Sequence, residues 1–153
     1  MSGNVIIRPF HPADLLGFDV QAAQRSESGD PGDMAVQLLT ACSTAISAAC
    51  DDGRVRLVGG IVGQHWAVML IALLSADSGP WMLGIVRALR GWLNEQAAHR
   101  MALDVRQDFE AGHRFARLLG FQAEGVMRAY GPNREDHMLY ARVRADGAGG
   151  EAP

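Results

Sequence analysis

Asp104 and Tyr130 are the side chains that the sequence places best for proton transfer. Asp104 lies inside the predicted strand MALDVR, where a carboxylate can accept a proton from an ammonium group directly or through water. A second interpretation pairs it with Arg100 or Arg106 at the sheet surface, as is common for a strand aspartate. Tyr130 ends a predicted strand beside the turn GPNRED, from which its phenol can reach toward an acceptor.

The other reactive side chains have weaker support. His113 lies one or two residues from the apolar stripe of a predicted helix, so we expect a structural role. Neither Cys42 nor Cys50 lies near a His-bearing loop and Ser75 has no evident base, which argues against nucleophilic catalysis. No two His or Cys residues have the spacing of metal ligands, so no metal is predicted. Both cysteines are expected on one helix, too far apart for a disulfide.

The first half of the chain is predicted to form a strand, two helices and three strands. Residues 5–7 are a short β-type run before Pro9, and a helical stretch opens at residues 11–12. Residues 25–32 are polar with two glycines and a proline, which indicates a loop, and Asp33 is the expected N-cap of an amphipathic helix over residues 33–49. A hairpin is predicted around residues 55–64, and residues 65–74 are apolar on both faces, as in a central strand.

The second half alternates helices and strands. A helix is predicted to begin near residues 78–80, a strand covers residues 101–105, and a helix over residues 109–119 is stopped by Gly120. Strands over residues 121–130 and 137–143 flank the turn. Hairpins mixed with strand–helix–strand crossovers imply an α/β fold with a mixed sheet covered by about four helices. We predict one domain, residues 1–144, and a frayed tail, residues 145–153.

The composition excludes several classes of protein. The 153 residues are 48% hydrophobic and 20% charged, and the 14 basic residues are all arginine. A net charge of −3 gives no basic excess for nucleic-acid binding. The longest apolar run, residues 66–74, is too short to span a membrane, and the N-terminus does not resemble a signal peptide. We therefore expect a cytoplasmic protein without nucleic-acid or membrane partners.

The order of elements, together with the segment GHRFARLLGF at residues 112–121, resembles the GCN5-related N-acetyltransferase (GNAT) superfamily. Three segments are similar to the small acetyltransferase-like proteins of phages and prophages. They are IIRPFHPADL, ALLSADSGPWML and GHRFARLLGFQAEGVMRAYGPNREDHMLYARV. The resemblance implies a mostly antiparallel mixed sheet with one splayed pair of parallel strands.

The superfamily resemblance also implies a site for acyl-CoA between the splayed strands, here residues 67–74 and 101–105. Unpaired backbone groups there take up the pantetheine arm by strand addition, and the pyrophosphate lies over the following loop and helix start. Asp104 would lie near this splay. The residues implied to line the cofactor site are Leu73, Leu74, Ser75, Gly79, Met82, Gly112 and Phe115.

Several positions depart from the superfamily pattern. The phosphate loop reads SADSGP, so Asp77 brings a negative charge toward the pyrophosphate and Pro80 removes an amide donor. An alternative is that Asp77 or Ser78 merely caps the helix. Ala116 stands where a tyrosine often protonates the leaving thiolate, and Phe109 where an asparagine is frequent. Residues 66–74 contain no ionisable side chain in place of the usual glutamate base.

Two functions follow from this resemblance. The first is an acetyl-CoA-dependent N-acyltransferase that acts on an unidentified amine by direct transfer in a ternary complex, with no metal. The alternative is a catalytically silent protein of phage origin with the same fold, which acts by binding a phage or host protein, as a virion-associated or a host-interacting component. A homodimer is possible in either case.

Overall fold

Seven β-strands form one mixed sheet in the computed structural model, which describes residues 3–145. The strand order is β1-β2-β3-β4-β5-β7-β6, and all neighbours are antiparallel except β4 and β5, which are parallel. The predicted α/β fold with a mostly antiparallel mixed sheet is thereby confirmed. The strands are β1 (Val5–Pro9), β2 (Thr44–Cys50), β3 (Val55–Val62), β4 (Ala67–Leu74), β5 (Arg100–Arg106), β6 (Gln122–Met127) and β7 (His137–Val143).

Within the described part of the chain, four α-helices and three 3₁₀ turns cover this sheet. The helices are α1 (Arg25–Ser28), α2 (Pro31–Ala41), α3 (Met82–Asn94) and α4 (Glu110–Leu118). The 3₁₀ turns are Pro12–Leu15, Ala22–Gln24 and Gly79–Trp81. Among residues 3–145, no helix is long and apolar enough to cross a membrane. Of the predicted tail, only Ala145 lies within the described residues.

The two faces of the sheet carry separate hydrophobic cores. Helices α3 and α4 pack on one face, where Leu57 and Ile61 of β3 are buried together with Ile85 and Leu119. Helix α2 packs on the other face, where Val58 of β3 meets Met34 and Leu38. Successive residues of a strand point to opposite faces, so β3 contributes to both cores. This arrangement explains the near-continuous apolar sequence of the central strands.

The predicted helix over residues 33–49 is correct only as far as Ala41. Its second half is strand β2, which lies between β1 and β3 and buries Ile46, Ala48 and Cys50 on one face with a period of two. The alanines of this segment fit a helical and a strand pattern equally well, and pairing on both sides overrides their helix propensity. Cys42 and Cys50 therefore do not share a helix, and both are free thiols.

The segment predicted as a loop, residues 25–32, contains α1 and the start of α2. The N-cap of α2 is Asp30 rather than Asp33, because the Asp30 side chain accepts a hydrogen bond of 2.8 Å from the Asp33 amide and Pro31 takes the first helical position. The helix expected from residue 11 is only a single 3₁₀ turn. Strand β3 runs unbroken through Gly59, where a Cβ would overlap the carbonyl oxygen of Ile71.

Strand β6 forms one edge of the sheet and leaves most of its residues exposed. Its pairing with β7 shifts register between Ala123 and Gly125, which marks a β-bulge. At the bulge, the Glu124 carboxylate pairs with Arg100 at 2.6 Å. The outer edge is thus both irregular and charged.

Asp14 joins the first 3₁₀ turn to the sheet through its carboxylate. Both Arg8 guanidinium nitrogens donate to it at 2.8 and 2.9 Å, and the His11 amide and the Ser47 hydroxyl donate at 2.9 and 2.8 Å. Burial opposes ionisation, but the hydrogen bonds from Arg8, His11 and Ser47 outweigh it and lower the Asp14 pKa from 3.8 to about 2. This carboxylate therefore stabilises the fold in its charged form.

We expect Asp14→Asn to lower the free energy of unfolding at pH 7 by about 2 kcal/mol, since one pKa unit is worth about 1.4 kcal/mol. The depressed pKa makes this stabilisation complete above the unfolded-state value near 4 and progressively lost as the pH falls toward 2. Urea unfolding of both proteins from pH 7 to pH 2 measures it. Glu95→Gln, at an exposed position, serves as control, and an equal gap between wild type and Asp14→Asn at pH 7 and pH 2 would contradict the assignment.

Candidate functional site

Strands β4 and β5 separate after a short stretch of parallel pairing. Their register covers three pairs, from Ala67 with Arg100 to Met69 with Ala102. Beyond these pairs β4 continues to Leu74 and β5 to Arg106, and the two strands diverge. The sheet is therefore open between its two central parallel strands, at the position that the superfamily resemblance implies.

The free edge of β4 is occupied by residues 19–24, which we call the edge strap. The Gln24 carboxamide donates to the Ala72 carbonyl at 2.8 Å and accepts from the Leu74 amide at 3.0 Å. The Gln21 amide donates to the Leu74 carbonyl at 2.9 Å, and the Ala76 amide donates to the Asp19 carbonyl at 2.7 Å. One side-chain amide and the strap backbone thus satisfy the β4 groups that face the splay.

The strap is also held by a hydrogen bond from β5 and by packing in the hydrophobic core under α2. The Arg106 guanidinium donates to the Ala23 carbonyl at 2.7 Å, which ties the strap across the opening. Val20 forms an isolated bridge with Ser75 and is buried in the core beneath α2. The strap therefore spans the gap between the two strands and closes much of it.

A narrow cleft remains on the α4 side of the splay. Its volume is about 70 Å³, and its walls include Leu74 of β4 with Gly112 and Phe115 of α4. A Cβ at Gly112 would lie 2.6 Å from the Phe109 ring and 2.7 Å from Val105, so glycine lets α4 approach β5 closely. Three of the implied cofactor residues thus meet in one apolar cleft, which is far smaller than the roughly 300 Å³ or more of a typical small-molecule site.

The loop after β4 holds its polar groups in internal contacts. Ser75 is buried, and its hydroxyl donates to Asp77 at 2.5 Å. The Asp77 carboxylate lies 3.4 Å from Arg54 and 3.3 Å from Arg56, so its charge is balanced. The hydrogen bond from Ser75 and the charge of Arg56 lower the Asp77 pKa, whereas burial acts in the opposite direction. Neither the Asp77 nor the Ser78 side chain caps the following turn.

Two further implied cofactor residues, Gly79 and Met82, lie at the start of that turn and directly after it. Gly79 is exposed, with open space where a Cβ would stand. Met82 begins α3 and packs against the main core. Ser75, Gly79 and Met82 therefore lie outside the linings of the two cavities at the splay, on the helix-start side of the loop.

A larger cavity of about 540 Å³ opens on the other side of the splay. Its lining includes the predicted residues Leu73, Asp104 and Tyr130, together with Glu27 of α1 and His137 of β7. The large cavity and the narrow cleft share four lining residues. These are Gln24, Glu27, Ala72 and Asp104. The two spaces consequently meet at the strap and at two carboxylates.

Asp104 hydrogen-bonds to a histidine rather than to a neighbouring arginine. Its Oδ1 lies 2.6 Å from His137 Nδ1, while Arg100 pairs with Glu124 and Arg106 with Asp108. An Nδ1–H that donates to the carboxylate leaves Nε2 as an acceptor. His137 is 1% exposed, and within residues 3–145 its Nε2 has no hydrogen-bond partner.

Glu27 faces the same imidazole from α1. Its Oε1 lies 3.5 Å from His137 Nε2. Burial raises the pKa of the Glu27 carboxyl, a positive charge on a protonated His137 would oppose this shift, and the charge of Asp104 adds to it. Candidate ligand atoms of Glu27, Asp104 and His137 lie within 4.8 Å of one another, a spacing that a metal ion can use and that the sequence did not predict.

Tyr130 leans against the His137 ring, with the ring centroids 5.2 Å apart in an edge-on arrangement. The preceding residue, Ala129, has a φ of 53°, and its amide donates to Asp136 at 2.9 Å. A left-handed backbone is uncommon for alanine and is held here by that bond. The negative charge of Asp104 and burial raise the Tyr130 pKa, so the phenol keeps its proton at neutral pH.

His113 of α4 has the structural role that its sequence position indicates. His113 bonds through Nδ1 to the Tyr140 hydroxyl at 2.7 Å and through Nε2 to the Gln107 carbonyl at 2.9 Å, so both ring nitrogens are occupied. Ala116 is fully buried. Helix α4 therefore packs against the site, and its residue 116 has no proton to donate to a leaving thiolate.

The sequence interpretation missed Gln24, Glu27 and His137 as site residues. Gln24 and Glu27 belong to a polar segment without hydrophobic periodicity, and their partners lie far along the chain. The available signal for His137 was its position at the start of a strand that follows a turn. A strand order that places β7 beside β5 would have brought it next to Asp104.

Similarity to solved structures identifies the fold. No protein-family model matches the sequence, and no curated protein matches it significantly. Similar solved structures include Ard1 from Thermoplasma volcanium, with a TM-score of 0.74 and 16% identity over 93% of this chain and 99% of that one. The ribosomal-protein-S18-alanine N-acetyltransferase from Escherichia coli matches with a TM-score of 0.68 and 18% identity over 91% and 93% of the two chains.

A third similar structure carries its acyl donor. The GNAT superfamily phosphinothricin acetyltransferase from Sinorhizobium meliloti, in complex with AcCoA, matches with a TM-score of 0.69 and 17% identity over 92% of this chain and 88% of that one. At these identities the likeness concerns the fold. The chain has the fold of the GNAT-superfamily acetyltransferases.

Proposed function

We propose that this protein is an N-acyltransferase that moves the acetyl group of acetyl-CoA directly to an amine in a ternary complex. The observation that carries the proposal is the meeting of two cavities at Glu27 and Asp104, between strands that diverge. The thioester enters by the narrow cleft and the amine by the large cavity. Holding the two reactants together in this way supplies much of the rate enhancement.

The donor side of the proposal rests on the fold and on the splay. A structure with the same fold holds AcCoA. The proposed donor contacts are those that the superfamily resemblance implies, namely Leu73, Leu74, Ser75, Gly79, Met82, Gly112 and Phe115. Because the edge strap bonds the same β4 groups that would take up the pantetheine arm, the Gln24 side chain leaves them before the donor binds.

The proposed chemistry uses Asp104 and His137 as one unit. The acceptor enters as an ammonium ion and gives one proton to His137 Nε2, while Asp104 stabilises the resulting imidazolium. The neutral amine then attacks the thioester carbon, so that a C–N bond forms and the C–S bond breaks. The second amine proton passes to the departing thiolate, which leaves as the thiol. No acid at position 116 is needed for this balance.

Tyr130 is proposed to act beside this pair. Its ring covers the edge of His137 and lines the large cavity, so it touches the incoming acceptor. The raised pKa keeps the phenol protonated and able to donate a hydrogen bond to the acceptor or to the thioester oxygen.

A binding-only role is the second candidate, and the strap favours it. A β4 edge that is already satisfied and a loop that carries Asp77 are both expected of a protein that has stopped using acyl-CoA. In this case the protein acts on a phage or host protein, in the cytoplasm or on a virion. None of the similar structures described above is a phage protein, and the phage origin stays a prediction.

Thermal unfolding with and without CoA compounds tests the proposal. A ligand at 100 times its Kd stabilises the fold by about 2.7 kcal/mol, which for this chain length raises Tm by roughly 5 °C or more. We expect such a shift with acetyl-CoA and with CoA, and release of free thiol from acetyl-CoA when an amine is added. The absence of a shift at millimolar concentration would contradict the acyltransferase, and a shift without thiol release across an amine panel would favour the binding-only role.

A further inference from the structure

The large cavity has an anionic lining. Among residues 3–145, the formally charged side chains that line it are Glu27 and Asp104, and no arginine does. The rest of the wall is neutral: amide and hydroxyl groups from Gln24, Ser26 and Gln37 alternate with apolar groups. A cavity of this kind attracts cations and repels carboxylates.

The gap between Glu27 and His137 lacks a hydrogen-bond donor. The atoms Oε1 and Nε2 are 3.5 Å apart, longer than the roughly 2.7–2.9 Å of a charge-assisted hydrogen bond. With the Nδ1 proton donated to Asp104, both atoms that face the gap are acceptors. Leaving a buried acceptor such as Nε2 unpaired costs free energy. An ammonium group has three N–H donors and satisfies both acceptors at once.

We infer that this cavity selects a primary amine that enters as its ammonium ion and whose remaining part is uncharged or cationic, and that Glu27 is the residue that determines this specificity. The inference rests on the proposed acyltransferase function and names its class of acceptor. Glu27 comes from α1 and faces the imidazole on the opposite side from Asp104. It can therefore contact the acceptor without being part of the Asp104–His137 pair.

The partial desolvation of Glu27 supports the same conclusion. Its side chain is 31% exposed, and desolvation together with the charge of Asp104 raises the Glu27 pKa, so the ionised carboxylate carries a penalty in the empty site. A bound cation removes that penalty, whereas a second carboxylate brought by the acceptor increases it. An amino acid that presents a free carboxylate beside its amine is therefore a poor fit.

Three four-carbon amines that differ only at the far end test the charge preference. They are 1,4-diaminobutane, 4-amino-1-butanol and 4-aminobutanoate, whose far ends are cationic, neutral and anionic. We expect kcat/KM for 4-aminobutanoate to be at least about 10-fold below that for 4-amino-1-butanol, with 1,4-diaminobutane equal to or better than the alcohol. Equal rates with all three amines would overturn the inference and leave the acyltransferase intact.

Glu27→Gln tests the assigned residue. We expect it to lower kcat/KM for both non-anionic amines about 10- to 100-fold and to narrow their advantage over 4-aminobutanoate, since hydrogen bonds to a charged group are worth this much. The matched control is Glu110→Gln, an exposed carboxylate in the first turn of α4. Unaltered selectivity in Glu27→Gln would remove Glu27 from the specificity site.

Calorimetric titration of the three amines into the CoA-bound protein tests the cation site at Glu27 independently of the acyltransferase activity. If no amine is acylated but the diamine binds at least about 10-fold more tightly than the amino acid, and Glu27→Gln removes the difference, the acyltransferase fails and the cation site remains. Metal binding would overturn the assignment of the gap to an ammonium group: Zn²⁺ or Mn²⁺ that raises Tm in the wild type and not in Glu27→Gln would show that the cluster of Glu27, Asp104 and His137 holds a metal ion.

Discussion

Replacing Asp104 by asparagine is expected to lower kcat for acetyl transfer about 100-fold, within the range of 10² to 10⁴ typical of a lost acid–base group. Asparagine has the same shape and still accepts a hydrogen bond from His137 Nδ1, but it cannot stabilise the imidazolium that forms when Nε2 takes the proton. The affinity for CoA should stay within about twofold, because Asp104 contributes a charge and not a pantetheine contact. Steady-state thiol release and calorimetry with CoA measure the two quantities.

The companion variant His137→Gln shows whether the two residues act as a unit. We expect it to reduce kcat to a similar extent, and the double variant to be no slower than the slower single variant, since members of one proton-transfer pair are strongly non-additive. If the fold-decrease in kcat of the double variant equals the product of the two single fold-decreases, Asp104 and His137 act independently. An unchanged kcat in Asp104→Asn, with unchanged Tm, would remove Asp104 from the chemistry.

Replacing Gln24 by alanine is expected to tighten CoA binding about 5- to 10-fold. The substitution removes two hydrogen bonds that compete with the pantetheine arm for Ala72 and Leu74, each worth about 0.5–1.5 kcal/mol net. The apparent Kd of a ligand increases when only a fraction of the molecules has an open site, so a larger open fraction lowers the apparent Kd. The same change should lower the stability of the free protein by about 1–2 kcal/mol.

Hydrogen exchange locates the competition. In the wild type we expect saturating CoA to deprotect the Gln21 and Ala76 amides, which join the strap to the end of β4 and to the loop after it in the free protein. Gln122→Ala, at an exposed position on β6, serves as the control for loss of a glutamine side chain. Weaker CoA binding by Gln24→Ala would mean that Gln24 contacts the ligand and that the strap is a wall of the site.

The strand–helix–strand unit at β4 and β5 could be predicted because its signals are local: an apolar run, a helix start with Pro80 and a short strand around Asp104. The splay between the two strands was implied only by the superfamily resemblance, which the segment LLGF carries. The strap could not be predicted in the same way. Gln24 lies 48 and 50 residues from the groups it bonds, and a glutamine in a polar segment has no periodic pattern that points to a partner.

The same contrast applies to the proton-transfer group. Asp104 could be recognised as a carboxylate inside a strand, but the sequence left two partners open and both were arginines. Its actual partner, His137, is 33 residues away and becomes adjacent only because β7 inserts between β5 and β6. In β2, the error had a different origin, since small alanines satisfy helical and strand spacing alike and only the neighbouring strands decide between them.

The bulge in β6 has a consequence for how copies of this protein meet. A regular edge strand offers a row of unpaired amide and carbonyl groups on which another chain can continue the sheet, and this is a common start of aggregation. Here the register shift at Ala123 and Gly125 breaks that row, and the Arg100–Glu124 ion pair adds charge beside it. The bulge and the ion pair therefore disfavour edge-to-edge pairing of two copies along β6.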